Sequence, residues 1–149
     1  NKPVKICDAG SGAGFPGVIC FLILNEIGLE ISMSLIESNS KKCKFLELTK
    51  KELELPFFVI NKRIEDSKHK FALILSRALA PLSVLFKLLV DLGNEESVFL
   101  LPKGKNWLKE VREAKKFWNF SYNTVKNNRI LDNTGGVTLE INGLKPVKN

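Results

Sequence analysis

Apolar residues along this chain change their period repeatedly, and the changes mark its elements. Residues 5–10 (KICDAG) predict a short strand that runs into glycine-rich punctuation. After Gly14 the period turns helical: Val18, Ile19, Leu22, Ile23 and Ile27 recur on one face, with Pro16 placed for the first turn. Residues 31–37 (ISMSLIE) alternate as a strand does, and Ser38, Asn39 and Ser40 then form a capping cluster. Cys43, Leu46 and Leu53 mark one face of the helix that follows, while Lys41, Lys42, Lys44, Lys50 and Lys51 occupy its other faces. Strands are predicted over 56–62 and 71–76, a helix over 81–92 ended by Gly93-Asn94, and a buried strand over 97–101. Trp107, Val111, Ala114 and Trp118 fall at i, i+4, i+7 and i+11, the stripe of an amphipathic helix. The tail holds two strand-like segments, 120–130 and 137–141, joined through residues 132–136.

The order is β-α-β-α-β-β-α-β-α-β-β. Strands alternating with helices imply a doubly wound, mostly parallel α/β sheet covered on both faces. The closing pair of adjacent strands implies an antiparallel edge, seven strands in all. No repeat or linker interrupts residues 1–149, so one domain is expected. The longest apolar run, residues 18–24, is far below the roughly 18 residues a membrane span requires, and no signal peptide is visible.

Composition adds direction. The chain is 44% hydrophobic and 26% charged, which excludes a disordered or fibrous polypeptide. Its formal net charge of +7 favours a polyanionic partner. Cys7, Cys20 and Cys43 are odd in number, lack metal spacing and sit in apolar stretches, so buried reduced thiols are expected. With a single histidine, no His-rich metal site can form, and no metal is expected. These features predict a soluble protein of the reducing cytoplasm. Lys105, Lys109, Arg112 and Lys116 recur as a basic stripe diluted by Glu110 and Glu113, which reads as a solvated face with phosphate contact as the alternative. Trp107 and Trp118 read as core, and His69, between Lys68 and Lys70, as a solvated loop residue.

The sharpest local feature runs from Asp8 to Gly17, DAGSGAGFPG. Glycines at alternate positions after a strand let the chain turn tightly and let a ligand approach the backbone. An acid, Glu37, ends the next strand, where a carboxylate accepts hydrogen bonds from both ribose hydroxyls. A nucleoside cofactor follows. Asp8 stands two residues before Gly10, and a negative charge there repels a pyrophosphate but suits an amine or sulfonium, which favours S-adenosylmethionine over NAD. No Gly-Lys-Ser/Thr follows, which excludes a P-loop.

The stretch Gly10-Ser11-Gly12-Ala13-Gly14-Phe15-Pro16-Gly17 resembles the GSGAGFPG signature of the bacterial 16S rRNA guanine-N7 methyltransferases, the glucose-inhibited division protein B family. Further blocks match in order: Leu35-Ile36-Glu37-Ser38 with Lys41-Lys42-Cys43-Lys44-Phe45-Leu46, then Lys62-Arg63-Ile64-Glu65-Asp66, Ser76-Arg77-Ala78 and Leu101-Pro102-Lys103-Gly104. Three departures stand out. Glu37 replaces the family's usual Asp, Pro102 intrudes before Lys103-Gly104, and the family's helical N-terminal segment has no counterpart.

The resemblance implies a class I S-adenosylmethionine-dependent methyltransferase fold acting on guanine N7 in 16S rRNA of the small ribosomal subunit. Carried over by position, Gly10, Gly12 and Phe15 line the methionine and sulfonium end of the cofactor, with Asp8 and Gly14 of the same loop also expected to be cofactor-binding. Glu37 takes the ribose, Ile64 and Glu65 frame the adenine, and Arg77 reaches either the cofactor or the target nucleotide. Arg63 and Lys103 become candidates for holding RNA phosphate or the guanine. No general base is expected, because guanine N7 already offers a lone pair and the enzyme need only orient the reactants. The alternatives are a class I methyltransferase acting on a small molecule or protein, and a non-catalytic RNA-binding relative. The full-length protein is expected to be a monomer; without the N-terminal helices the chain is expected to expose an apolar patch, self-associate and methylate weakly.

Overall fold

The computed structural model describes residues 2–77, 79–126 and 135–148. Among the described residues seven strands form one sheet: β1 (Val4–Ala9), β2 (Ile31–Glu37), β3 (Phe58–Asn61), β4 (Leu73–Leu75), β5 (Val98–Lys103), β6 (Trp118–Lys126) and β7 (Val137–Pro146). Their order is β3-β2-β1-β4-β5-β7-β6. All neighbours run parallel except β7, which is antiparallel to both β5 and β6. Four α-helices are present among the described residues: α1 (Gly17–Glu26), α2 (Ser40–Glu52), α3 (Leu82–Leu89) and α4 (Trp107–Ala114). The doubly wound α/β architecture expected from the pattern is present, antiparallel edge included.

Each face of the sheet has its own core. Ile6, Met33, Leu35 and Leu75 pack against Val18 and Phe21 of α1 and Leu46 of α2. Cys7, Ile36, Ile74, Phe99 and Ile141 pack on the other face against Leu82, Leu85, Phe86 and Leu89 of α3 and Val111 and Ala114 of α4. Burial on two faces explains why β5 opens as a near-continuous apolar run. Between β3 and β4 the chain makes only the 3-10 turn Ile64–Asp66, not a crossover helix.

Several boundaries moved for identifiable reasons. Asn39 is the cap of α2, its Oδ1 accepting from the amides of Lys41 at 3.0 Å and Lys42 at 3.1 Å. Pro16 lies at the cap position of α1, just outside the helix. The helix expected over 81–92 ends at Leu89 and continues as the 3-10 turn Val90–Leu92. Trp118 opens β6 instead of closing α4, with its indole 5.8 Å from the Phe86 ring and edge-on to it. β5 continues through Pro102, because β4 stops pairing at Leu100 and the missing amide of Pro102 points where no strand remains. Residues 127–134, which include most of the predicted β6–β7 connection, lie outside the described residues.

Candidate functional site

The order of strand addition reverses between β1 and β4, and ligands bind at such a switch point in open α/β sheets. The glycine loop leaves β1 at that point. Asp8 is the last residue but one of β1 and is 1% exposed. Its Oδ2 accepts from Ser11 Oγ at 2.8 Å and from the Gly17 amide at 2.9 Å. One carboxylate therefore closes the loop and caps α1, whose own cap residue, Pro16, offers no side-chain acceptor. Gly17 is imposed by this packing: a β-carbon there would lie 2.5 Å from Leu35 Cδ2 and 2.7 Å from Asp8 Oδ2. Gly14 is imposed as well, with φ of +95° and a would-be β-carbon 2.6 Å from Val18 Cγ2.

Glu37 ends β2 beside this loop. Its Oε2 accepts from the Gly12 amide and its Oε1 from the Asn39 amide, both at 2.8 Å. The same carboxylate thus ties the glycine loop to the start of α2. Cys43 donates its thiol to the Glu37 carbonyl at 3.2 Å, and Ser76 donates Oγ to the Ala9 carbonyl at 3.0 Å, locking the ends of β4 and β1 together.

Above these groups lies a cavity of about 480 Å³. Its walls bring together Gly10, Gly12, Glu37, Arg63, Ile64 and Glu65, all singled out in the sequence. Lys42, Lys62, Leu79 and Leu88 also line it, and nothing in the sequence pattern had distinguished Leu79 or Leu88. Asp8 lies beneath the loop, not in the cavity wall. Phe15 points outward, 54% exposed. Arg77 is exposed past the end of β4, within electrostatic reach of Asp8.

Burial pushes the Asp8 carboxyl above the usual carboxylate range, Glu37 adds to the rise, and the bonds from Ser11 and Gly17 and the charge of Arg77 oppose it. Burial likewise raises the thiols of Cys7, Cys20 and Cys43. Cys7 and Cys43 are buried as expected, whereas Cys20 is half-buried; all three are free.

Lys103 is placed differently from the expectation that it faces RNA. Its ammonium lies 2.7 Å from Glu110 Oε2 and donates to the Ala80 carbonyl at 3.0 Å, and its side chain is 9% exposed. Its charge is used inside the fold. Glu110, which in the sequence merely dilutes a basic stripe, is therefore an interior partner. In that stripe Lys116 pairs with Glu113, while Lys105, Lys109 and Arg112 are exposed. His69 is exposed and lines a separate recess with Lys5, Ser32 and Ser34, away from the cavity. Among the described residues no cluster of His, Cys, Asp or Glu could hold a metal, and no helix is long and apolar enough to cross a membrane.

Known proteins resemble this chain in both structure and sequence. A ribosomal protein L11 methylase from Lactobacillus delbrueckii subsp. bulgaricus superposes with a TM-score of 0.70 at 18% identity, over 95% of this chain and 71% of its own. Magnesium protoporphyrin IX methyltransferase from Synechocystis, solved with bound SAM, gives 0.65 at 11% identity, over 94% and 70%. These neighbours establish the class I methyltransferase fold. In sequence, ribosomal RNA small subunit methyltransferase G of Rickettsia felis is 39% identical over 122 residues, covering 82% of this chain and 60% of the relative. Its Bartonella tribocorum counterpart is 37% identical over 148 residues, covering 97% and 68%. The chain thus spans about three fifths to two thirds of these relatives' length. The family model described as rRNA small subunit methyltransferase G matches residues 1–135. With that match over most of its length, the chain belongs to the rRNA small subunit methyltransferase G family.

Proposed function

We propose that this chain forms the methyl-transfer domain of a cytoplasmic enzyme that uses S-adenosylmethionine to methylate guanine N7 in 16S rRNA of the small ribosomal subunit. The observation that carries the reading is the cavity at the switch point, where Gly10, Gly12, Glu37, Ile64 and Glu65 meet. Its chemistry fits that cofactor. Gly12 has φ of +60° and open space where a side chain would stand, so a ligand can lie against its backbone. Glu37 is 8% exposed, and each of its oxygens, already holding one amide, keeps acceptor capacity for a ribose hydroxyl. Asp8 has one oxygen, Oδ1, buried without a partner, leaving an uncompensated acceptor beneath the loop that favours a cationic ligand above it. Ile64 and Leu88 supply apolar wall for an adenine.

When bound, the cofactor supplies an electrophilic methyl group on a positive sulfur. The chain's residues then have to orient and exclude. Glu37 fixes the ribose and, through Gly12, the loop against which the methionine end lies. Lys42, Lys62 and Arg63 put positive charge at the cavity wall, where it draws an RNA phosphate or holds the target guanine. Arg77, exposed past the end of β4, is a candidate for contact with either the cofactor or the same nucleotide. A guanine splayed from its helix presents N7 with its lone pair free, so no residue has to remove a proton. A smaller substrate would leave these cations without a purpose. The reading is tested with the full-length protein, labelled S-adenosylmethionine and small subunits from cells that lack the modification. Label at guanine N7 supports it; label absent from small subunits and from naked 16S rRNA overturns it.

A further inference from the structure

We propose that Lys103 and Glu110 are positioning residues for methyl transfer: together they hold residues 79–82, and with them the Leu79 side chain, over the glycine loop. The proposal rests on the reading that the switch-point cavity takes the cofactor.

The hold is three bonds deep. Lys103 Nζ donates to the Ala80 carbonyl at 3.0 Å and lies 2.7 Å from Glu110 Oε2. The amide of Leu82 donates to that same oxygen at 2.8 Å. The segment is gripped on both sides of Pro81, by its carbonyl at 80 and by its amide at 82. Both gripping residues stand on rigid elements, Lys103 at the end of β5 and Glu110 in the first turn of α4.

What is held is Leu79. Its δ-carbons lie 2.7 Å from where a β-carbon on Gly10 would stand, so it packs directly against the bare backbone of the loop. It lines the cavity with Gly10 and Gly12, yet it is 41% exposed. A leucine so placed contributes little to the core. It decides how much room remains above Gly10, between the cofactor and the incoming base. With side-chain exposures of 9% and 25%, the ion pair is drier than a surface pair, and the shared Oε2 makes it directional. The pair thus transmits position and makes no contact with substrate.

The test compares full-length Lys103→Met, Lys103→Arg and Glu110→Gln, the double variant Lys103→Glu/Glu110→Lys, and Leu79→Ala with the wild type. The readouts are kcat and KM for methyl transfer to small subunits, cofactor Kd by calorimetry, and thermal melting. Lys103→Met is expected to lower kcat about 10- to 100-fold, the range for a displaced reacting group. Its cofactor Kd is expected to stay within about threefold, because Glu37 and Ile64 are not on the held segment. Lys103→Arg is expected to recover much of the loss. The charge swap is expected to stay impaired, because a lysine at 110 cannot accept from the Leu82 amide. Leu79→Ala, which leaves the pair intact, is expected to lower kcat similarly with melting unchanged. Wild-type kcat in Lys103→Met or in Leu79→Ala overturns the proposal, and so does full rescue by the swap. A wild type that methylates neither subunits nor rRNA overturns instead the functional reading beneath it.

Discussion

Replacing Glu37 tests the cavity most directly, because one carboxylate serves both the fold and the proposed ligand. In Glu37→Ala the amides of Gly12 and Asn39 each lose a charged acceptor at 2.8 Å. A hydrogen bond to a charged group is worth about 1.5–3 kcal/mol. Gly12 borders the cavity and Asn39 is exposed, so water replaces much of that, and a net stability loss of about 1–3 kcal/mol is expected. The cofactor loses two hydroxyl bonds to the same charged acceptor, about 3 kcal/mol at the low end. That corresponds to roughly 150-fold in Kd. Glu37→Gln separates the effects: its amide group keeps one acceptor and turns a donor toward one of the two backbone amides. An intermediate loss is expected, about 10- to 30-fold in Kd. Calorimetric titration of S-adenosylmethionine and S-adenosylhomocysteine into folded variants, with circular dichroism beside it, makes the measurement. If Glu37→Ala binds either ligand within threefold of the wild type, the ribose assignment is refuted.

Three other perturbations follow from the same geometry. The Asp8 carboxyl is raised above its ordinary value of 3.8, so the folded state binds that proton more tightly; its stabilisation is present below that pH and lost as pH rises through the raised value. Relative to the wild type, Asp8→Asn should therefore gain stability as pH climbs from about 4 through that window; urea melts showing a pH-independent difference would contradict this. Gly17→Ala drives a β-carbon into Leu35 and Asp8 and is expected to cost about 1–3 kcal/mol, a fall in Tm of roughly 2–12 °C by scanning calorimetry. The outer face of α1 exposes Ile19, Leu22 and Ile23, with exposed Ile27 just past its end, so this chain by itself is expected to self-associate; gel filtration should show Ile23→Lys/Ile27→Lys eluting as a monomer, and unchanged association would move the contact elsewhere.

The parts of the molecule governed by period and by local backbone chemistry were legible. β2 has the predicted bounds, the capping cluster supplied Asn39, and the glycine loop with Glu37 lies where a strand, turn and helix must put it. Ile64, Glu65 and Arg63 reach the same cavity because parallel strands deliver their ends to one edge. What failed to show were relations set by distant parts of the chain. A glutamate in a charged helix looks solvated, and only the packing of α4 against the segment after β4 turns Glu110 inward to Leu82 and Lys103. Lys103 sits at the ligand edge as predicted, yet its side chain folds back onto an ion pair. Leu79 carries no periodic signature at all. Trp118 fits helical spacing by coincidence, while the alternation of Trp118, Phe120 and Tyr122 was the truer signal for β6. Asp8 was read as an acid aimed at the cofactor, whereas one of its oxygens is occupied in closing the loop.

That closure makes the loop and the first turn of α1 one cooperative unit. The Gly17 amide proton can exchange with water only when its bond to Asp8 opens, and Ser11 shares the same oxygen. An opening that frees one frees the other. The exchange rate at Gly17 therefore counts how often the loop is unlatched, even though Gly17 itself is buried outside the cavity wall. A ligand that lies against Gly10 and Gly12 selects latched molecules, and its binding energy appears as slowed exchange one helical turn into the protein. The eight residues between Asp8 and Gly17 work as a clasp whose state can be timed from behind.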